Sequence, residues 1–278
     1  MSGRIWFITG ASSGLGRLMT EHLLQRGERV AATARKIERL DDLATTHGER
    51  LWRAKLDMAD TAAIRRVVAD AVAALGSIDV VISNAGYALL GPAENLRDED
   101  IAQQIGTNLI GPIQLLRAIV PHMRAQGGGR IIQISSEAGQ IAYPGVSLYH
   151  ATKWGIEGFC EALMQEVASF NIKVSLVQPG RVATEFDANA VVTDPMPQAY
   201  KSTAVGMYFR LLAMGKFPRI GDPAKVADAI LALADSEDPP TRLTLGSDSY
   251  RNIERALSRR LSELERQRES AGVTDKGK

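Results

Sequence analysis

The chain has 278 residues, 45% of them hydrophobic and 23% charged, with a formal net charge of +1. It can bury a large core, and its balanced charge argues against a nucleic acid, a membrane surface or another strongly charged partner. The one cysteine, Cys160, has no mate for an internal disulfide, and His22, His47, His122 and His150 show no metal-ligand spacing with it, which predicts a reducing compartment and no metal.

The first apolar run, RIWFIT at 4–9, is short and followed at once by glycines, so it reads as a strand rather than a signal peptide. Further strand candidates are ERVAATA (28–34), RLWRAKL (50–56), IDVVIS (78–83), GRIIQIS (129–135), IKVSLVQ (172–178) and a weaker TRLTLG (241–246). Helix candidates fall between them at 15–26, 37–47, 60–75, 98–125 and 147–169. This alternation is the pattern of successive βαβ units, a parallel sheet with helices on both faces.

Beyond Gln178 the rhythm breaks. Residues 185–222 carry Pro195, Pro197 and Pro218 among Met196, Met207, Tyr208, Phe209, Met214 and Phe217, a composition that suits either a cover over an apolar ligand or ordinary helix packing. SYRNIERALSRRLSELERQRE then reads as an amphipathic helix with Ile253, Ala256, Leu257, Leu261 and Leu264 on one stripe, and 270–278 as a disordered tail. No run reaches the roughly 18 apolar residues of a membrane span, and no Pro/Gly/Ser-rich linker divides the chain. One domain over 1–278 in the cytoplasm is expected.

Between the first strand and helix lies TGASSGLG, 9–16. Gly10 permits a tight turn, Gly14 lets the backbone approach a pyrophosphate, and Gly16 allows close helix contact, with Ser12, Ser13 and Leu15 completing the loop. A glycine-rich turn alone is weak evidence, but a strand before it and a helix after it are the context the motif demands. At the end of the second strand Ala34 offers no carboxylate for an NAD ribose, whereas Arg35, with Lys36 beside it, offers a fork for a phosphate, which favours NADP(H) over NAD(H). Asp57, followed by Met58, can accept from an adenine amino group, since Asp60 is the better cap for the next helix.

Tyr149 and Lys153 are four apart on a helix and share one face. A phenol loses its proton near pH ~10, and an adjacent ammonium favours the phenolate, so such a pair can move protons. Ser136 precedes Tyr149 by a loop long enough to return its hydroxyl to the phenol, although isolated serines usually close turns. Asn108 lies in QQIGTNLIGPIQLL, where Gly106, Gly111 and Pro112 weaken the helix and can turn a carbonyl outward.

TGASSGLG, Asp57, SNAG at 83–86, Asn108, Ser136, YHATK at 149–153 and PGRVAT at 179–184 together resemble the short-chain dehydrogenase/reductase family over residues 4–250. The resemblance implies a Rossmann-type, doubly wound, mainly parallel seven-stranded sheet of order 3-2-1-4-5-6-7. It implies Tyr149 as general acid/base and Lys153 as the residue that holds the nicotinamide ribose and lowers the tyrosine pKa. Ser136 orients the substrate oxygen, and Asn108 anchors a water relay from Lys153. Asn84, Ala85 and Gly86 line the adenosine side; Pro179, Gly180, Val182 and Thr184 contact the nicotinamide end. Ser83 stands where many relatives have asparagine.

The expected activity is NADPH-dependent reduction of a carbonyl, or the reverse oxidation of a secondary alcohol. Tyr143, Pro144, Leu89, Leu90, Val182 and residues 185–217 are expected to line an apolar pocket, which favours a hydrophobic ketone, aldehyde or steroid-like or retinoid-like alcohol over a charged sugar. A non-catalytic dinucleotide-binding regulator and an NAD-dependent alcohol dehydrogenase are the alternatives; the glycine spacing argues against a nucleotide-sugar epimerase. A homodimer or homotetramer is expected through the helices at 98–125 and 147–169, with Ile110, Ile113, Phe159 and Leu163 as contact candidates.

Overall fold

A computed structural model describes residues 3–186, 189–193 and 195–276. In chain order the strands are β1 (Ile5–Thr9), β2 (Arg29–Ala34), β3 (Leu51–Lys55), β4 (Val80–Ser83), β5 (Leu89–Leu90), β6 (Gly129–Ile134), β7 (Ile172–Pro179), β8 (Val191–Val192) and β9 (Arg242–Leu245). Seven form one sheet in the order β3-β2-β1-β4-β6-β7-β9, with every neighbouring pair parallel. Without the two short strands this is 3-2-1-4-5-6-7. Each residue of β1 is buried, as a central strand covered on both faces requires, and this is why these strands read as continuous apolar runs.

The helices are α1 (Gly14–Gln25), α2 (Asp41–His47), α3 (Thr61–Leu75), α4 (Asp98–Ile105), α5 (Gly111–Ala125), α6 (Ser147–Val167), α7 (Ala204–Ala213), α8 (Pro223–Asp235), α9 (Ser247–Glu265) and α10 (Arg268–Ala271). Alternate residues of β1 feed opposite cores. Phe7 packs with α3, α5 and α6 through Ile64, Leu115 and Ile156, while Trp6 and Ile8 pack with α1 and α8 through Met19, Leu23 and Ile230. Asp60 caps α3 by accepting from the Ala63 N–H at 2.9 Å, and Asp222 caps α8 in the same way ahead of Pro223.

Residues 98–125 are not one uniform helix. α4 and α5 are joined through a π turn, Gly106–Ile110, bounded by the weak points Gly106 and Gly111. Residues 185–222 leave and rejoin the sheet edge at one place, because Val182 bridges Gly221. Within that excursion β8 pairs with β5, and α7 follows; Asp187, Ala188 and Asp194, inside the expected cover segment, lie outside the described residues. The α9 stripe divides: Ile253 is buried and Leu257, Leu261 and Leu264 face outward. Short helical turns continue over 268–274, and the last two residues of the expected tail, 277 and 278, lie outside the description. Of the expected subunit contacts, Ile110 is exposed, Ile113 and Phe159 are half-buried, and Leu163 belongs to this chain's own core.

Candidate active site

The glycine loop sits at the carboxyl end of β1. Gly10 has φ 67°, and a Cβ there would stand 2.9 Å from Ala85 Cα; at Gly16 it would stand 2.3 Å from the Gly10 carbonyl oxygen. No larger residue fits either position without moving backbone. Asn84 fastens the loop: its Nδ2 donates to the Thr9 carbonyl at 3.0 Å, and the N–H groups of Asn84 and Ala85 donate to Thr9 Oγ1. Its amide is therefore engaged by the loop. Ser83 Oγ is buried and has no hydrogen-bond partner among the described residues.

Ser13 occupies the N-cap of α1 but makes no side-chain cap bond, and it borders a cavity of about 720 Å³ at the start of the helix. Ser12, Gly14, Arg17, Arg39, Thr184 and Arg219 line it. Thr184 lies against the loop, its Cβ 3.6 Å from where a Gly14 Cβ would stand. Arg17 is held by Glu21 and Asp42, and their carboxylates raise its pKa. Leu15 packs downward against the core instead of facing the cavity.

Arg35 and Lys36 are exposed at the end of β2. Asp57 Oδ1 accepts from the Ala59 N–H at 2.9 Å, and Asp60 takes the helix cap. Met58 turns its side chain into the core, and its carbonyl lies where a Gly111 Cβ would come within 2.3 Å. Tyr87, which follows SNAG, is a neighbour that the sequence reading overlooked. Burial raises its pKa, Asp100 and Asp57 add to the rise, and Arg35 opposes it. Asn108 clasps its backbone: Nδ2 donates to the Tyr87 carbonyl at 2.7 Å, and Oδ1 accepts from the Tyr87 N–H at 3.1 Å. The same Nδ2 reaches Thr152 Oγ1 at 3.4 Å, which ties the π turn to α6.

On α6, Tyr149 and Lys153 are both buried, with Lys153 Nζ 5.6 Å from the Tyr149 ring centroid. Nζ donates to the Ile134 carbonyl at the end of β6, 2.9 Å away. Burial lowers the Lys153 pKa to about 8, and the Glu157 carboxylate one turn further on opposes the fall, so the ammonium persists at neutral pH. The two serines after β6 divide their work. Ser135 donates inward to Glu157 at 2.6 Å, while Ser136 Oγ accepts from the Ala138 N–H at 3.2 Å. An accepting cap leaves the Ser136 hydroxyl hydrogen available as a donor.

Two further side chains brace this face. His150 Nε2 accepts from the Tyr143 N–H at 2.8 Å, its Nδ1 meets the Ala138 carbonyl at 3.0 Å, and burial pushes its pKa down, which keeps the imidazole neutral. Tyr143, Val146, Ala88, Ala138, Leu90 and Tyr208 form a small apolar cluster with Tyr149, and the Phe186 ring lies 6.0 Å from that of Tyr149. At the end of β7, Pro179 precedes Gly180, whose N–H donates to the Leu245 carbonyl; Val182 packs on the core. The arrangement brings a buried tyrosine, a buried lysine and a serine hydroxyl to the carboxyl end of the sheet, where the glycine loop and the start of α1 also lie.

Residues 4–194 match the family model described as short chain dehydrogenase. "Oxidoreductase BOA17" of Botryotinia fuckeliana is 37% identical over 247 residues, 88% of this chain and 90% of that protein. A short-chain dehydrogenase structure from Streptomyces avermitilis has a TM-score of 0.91 at 37% identity and covers 99% of each chain. A serine dehydrogenase complexed with NADP+ has a TM-score of 0.73 at 30% identity, over 87% of this chain and 94% of that one.

Proposed function

The chain belongs to the short chain dehydrogenase family of NAD(P)-dependent oxidoreductases, and from that premise we propose that it transfers hydride between NADP(H) and the carbonyl or secondary alcohol of an apolar small molecule. The observation that carries this reading is the burial of Tyr149 beside Lys153 on α6, with Lys153 Nζ held by the Ile134 carbonyl two residues before Ser136, at the same end of the sheet as the glycine loop.

The residues present fit a dinucleotide. The uncapped start of α1 borders a cavity lined by Arg17, Arg39 and Arg219 together with Asp42 and Glu185, and the glycine loop admits no Cβ at Gly10 or Gly16. Gly10, Ser12, Ser13, Gly14, Leu15 and Gly16 would hold the pyrophosphate, Arg35 and Lys36 a ribose phosphate, and Asp57 and Met58 the adenine. Asn84, Ala85 and Gly86 would follow the adenosine side, with Pro179, Gly180, Val182 and Thr184 at the nicotinamide end. A bound nicotinamide supplies the hydride.

Tyr149 passes a proton between its hydroxyl and the substrate oxygen. The Lys153 ammonium stabilises the phenolate that remains and serves the nicotinamide ribose. Ser136 donates to the same substrate oxygen as negative charge builds on it. Asn108, in a π turn of the kind that recurs at functional sites, anchors the relay from Lys153 toward solvent. The apolar cluster around Tyr149 and the excursion over 185–222 give the substrate an apolar wall and cover. Exposed Ile110, in the π turn ahead of α5, and Trp154 of α6 support assembly into a homodimer or homotetramer through this side of the molecule.

The test is a panel of aldehydes and ketones assayed with NADPH and with NADH in parallel. Consumption of NADPH by apolar members, at least about tenfold faster than of NADH, is expected from a phosphate-binding fork. A reversed preference would overturn the role given to Arg35, and turnover of neither cofactor with any carbonyl would overturn the activity.

A further inference from the structure

The C-terminal helix reaches back into the site. Asp248, in its first turn, accepts from the Arg181 N–H at 3.0 Å and packs so closely on Gly180 that a Cβ there would stand 2.3 Å from Oδ1. One turn on, Asn252 Nδ2 donates to Glu137 Oε2 at 2.9 Å and to the Tyr143 hydroxyl oxygen at 3.1 Å. The Tyr143 hydroxyl in turn donates to Glu137 Oε1 at 2.9 Å. The three side chains close a triangle in which Glu137, buried directly after Ser136, has each oxygen used by one donor. Burial raises the Glu137 pKa, and the two donors oppose that rise.

The triangle holds one ring at both ends. His150 fixes the Tyr143 backbone, and Glu137 with Asn252 fixes the hydroxyl. Burial and the Glu137 charge push the Tyr143 pKa far up, so this phenol stays a neutral donor where Tyr149 exchanges protons. Between its fixed ends the Tyr143 ring stacks on Tyr208 of α7, centroids 5.9 Å apart and planes 18° from parallel, and shares the apolar cluster of Tyr149. A side chain immobilised in this way presents a surface of fixed shape to whatever packs against Tyr149.

We propose that Asn252 and Glu137 are positioning residues that set the Tyr143 ring as the wall discriminating substrates by bulk, which makes the C-terminal helix part of the specificity apparatus. The proposal rests on the carbonyl-reducing reading above. It concerns binding selectivity, whereas proton transfer stays with Tyr149.

The experiment uses butanone and benzylacetone, which share a reacting group and differ by an aromatic ring. Binding is measured by calorimetry on the full chain with NADP+, and turnover by NADPH consumption. The parent is expected to bind benzylacetone the more tightly. Asn252→Ala and Tyr143→Phe should each weaken benzylacetone about tenfold while butanone and NADP+ affinities stay within about twofold, because one hydrogen bond to a charged group is lost in each. The double variant should be no worse than either single one, since both act through one network. Equal weakening of both ketones, unchanged benzylacetone binding, additive losses, or a parent that does not prefer benzylacetone would each overturn the proposal. The predicted binding pattern without NADPH consumption would instead sink the reductase reading and leave the Tyr143 assignment standing.

Discussion

Lys153 carries its ammonium inside the fold, and burial moves its pKa from 10.5 to about 8 against the opposing charge of Glu157. Between those values the unfolded chain keeps a proton that the folded chain has released, so raising the pH through this window favours the folded state. Urea unfolding of the cofactor-free protein is expected to show the stability of the parent relative to Lys153→Met rising by on the order of 3 kcal/mol from pH ~7.5 to pH ~10.5. A difference that stays flat across that range would contradict the burial of a charged lysine. Tyr149 and Lys153 were legible in the sequence because their relation is local, four residues on one helix. The Asn252–Glu137 contact was not, since it spans 115 positions and neither residue belongs to a spacing pattern. Ser136 was legible as a candidate, but only the fold shows that its neighbour Ser135 donates inward to Glu157 while Ser136 Oγ accepts from the Ala138 N–H.

Four elements meet at one carboxylate. Glu157 of α6 accepts from Ser135 after β6 at 2.6 Å, Gln140 in the following turn at 2.6 Å, Gln178 of β7 at 2.9 Å and Arg242 of β9 at 3.2 Å. Gly139 is glycine because a Cβ there would stand 2.1 Å from Glu157 Oε1. An amide in place of this buried acceptor turns donors toward donors, so Glu157→Gln should cost about 2–4 kcal/mol. A lower urea midpoint with an unchanged slope would register this, and an unchanged midpoint would show that the node does not hold the elements together. At this scale the βαβ rhythm was legible from apolar runs, and so was the weakness at Gly106 and Gly111 that the structure resolves into a π turn. The strands Leu89–Leu90 and Val191–Val192 are too short for periodicity to mark. α8 was overlooked although Asp222-Pro223 is a helix-start signal, because the irregular segment before it obscured where the pattern resumes.

Across the whole molecule the sheet order gathers the ends of β1, β4, β6 and β7 along one edge, and the loop, tyrosine, lysine and serine fall there by topology. Strand order was therefore readable once the motifs were seen in sequence, and the candidate site residues with it as a proposal. The contribution of the C-terminal helix was not, because an amphipathic stripe specifies burial of one face without naming what it touches. The proposed hydride transfer with Tyr149 as proton carrier is tested most directly by the mass of the alcohol formed from an apolar ketone of the panel with NADPH deuterated at the transferring C4 position. The parent should place the deuterium on the carbinol carbon, and Tyr149→Phe should bind NADPH normally yet form no labelled alcohol. Unlabelled alcohol from the parent, or undiminished labelled product from Tyr149→Phe, would contradict it.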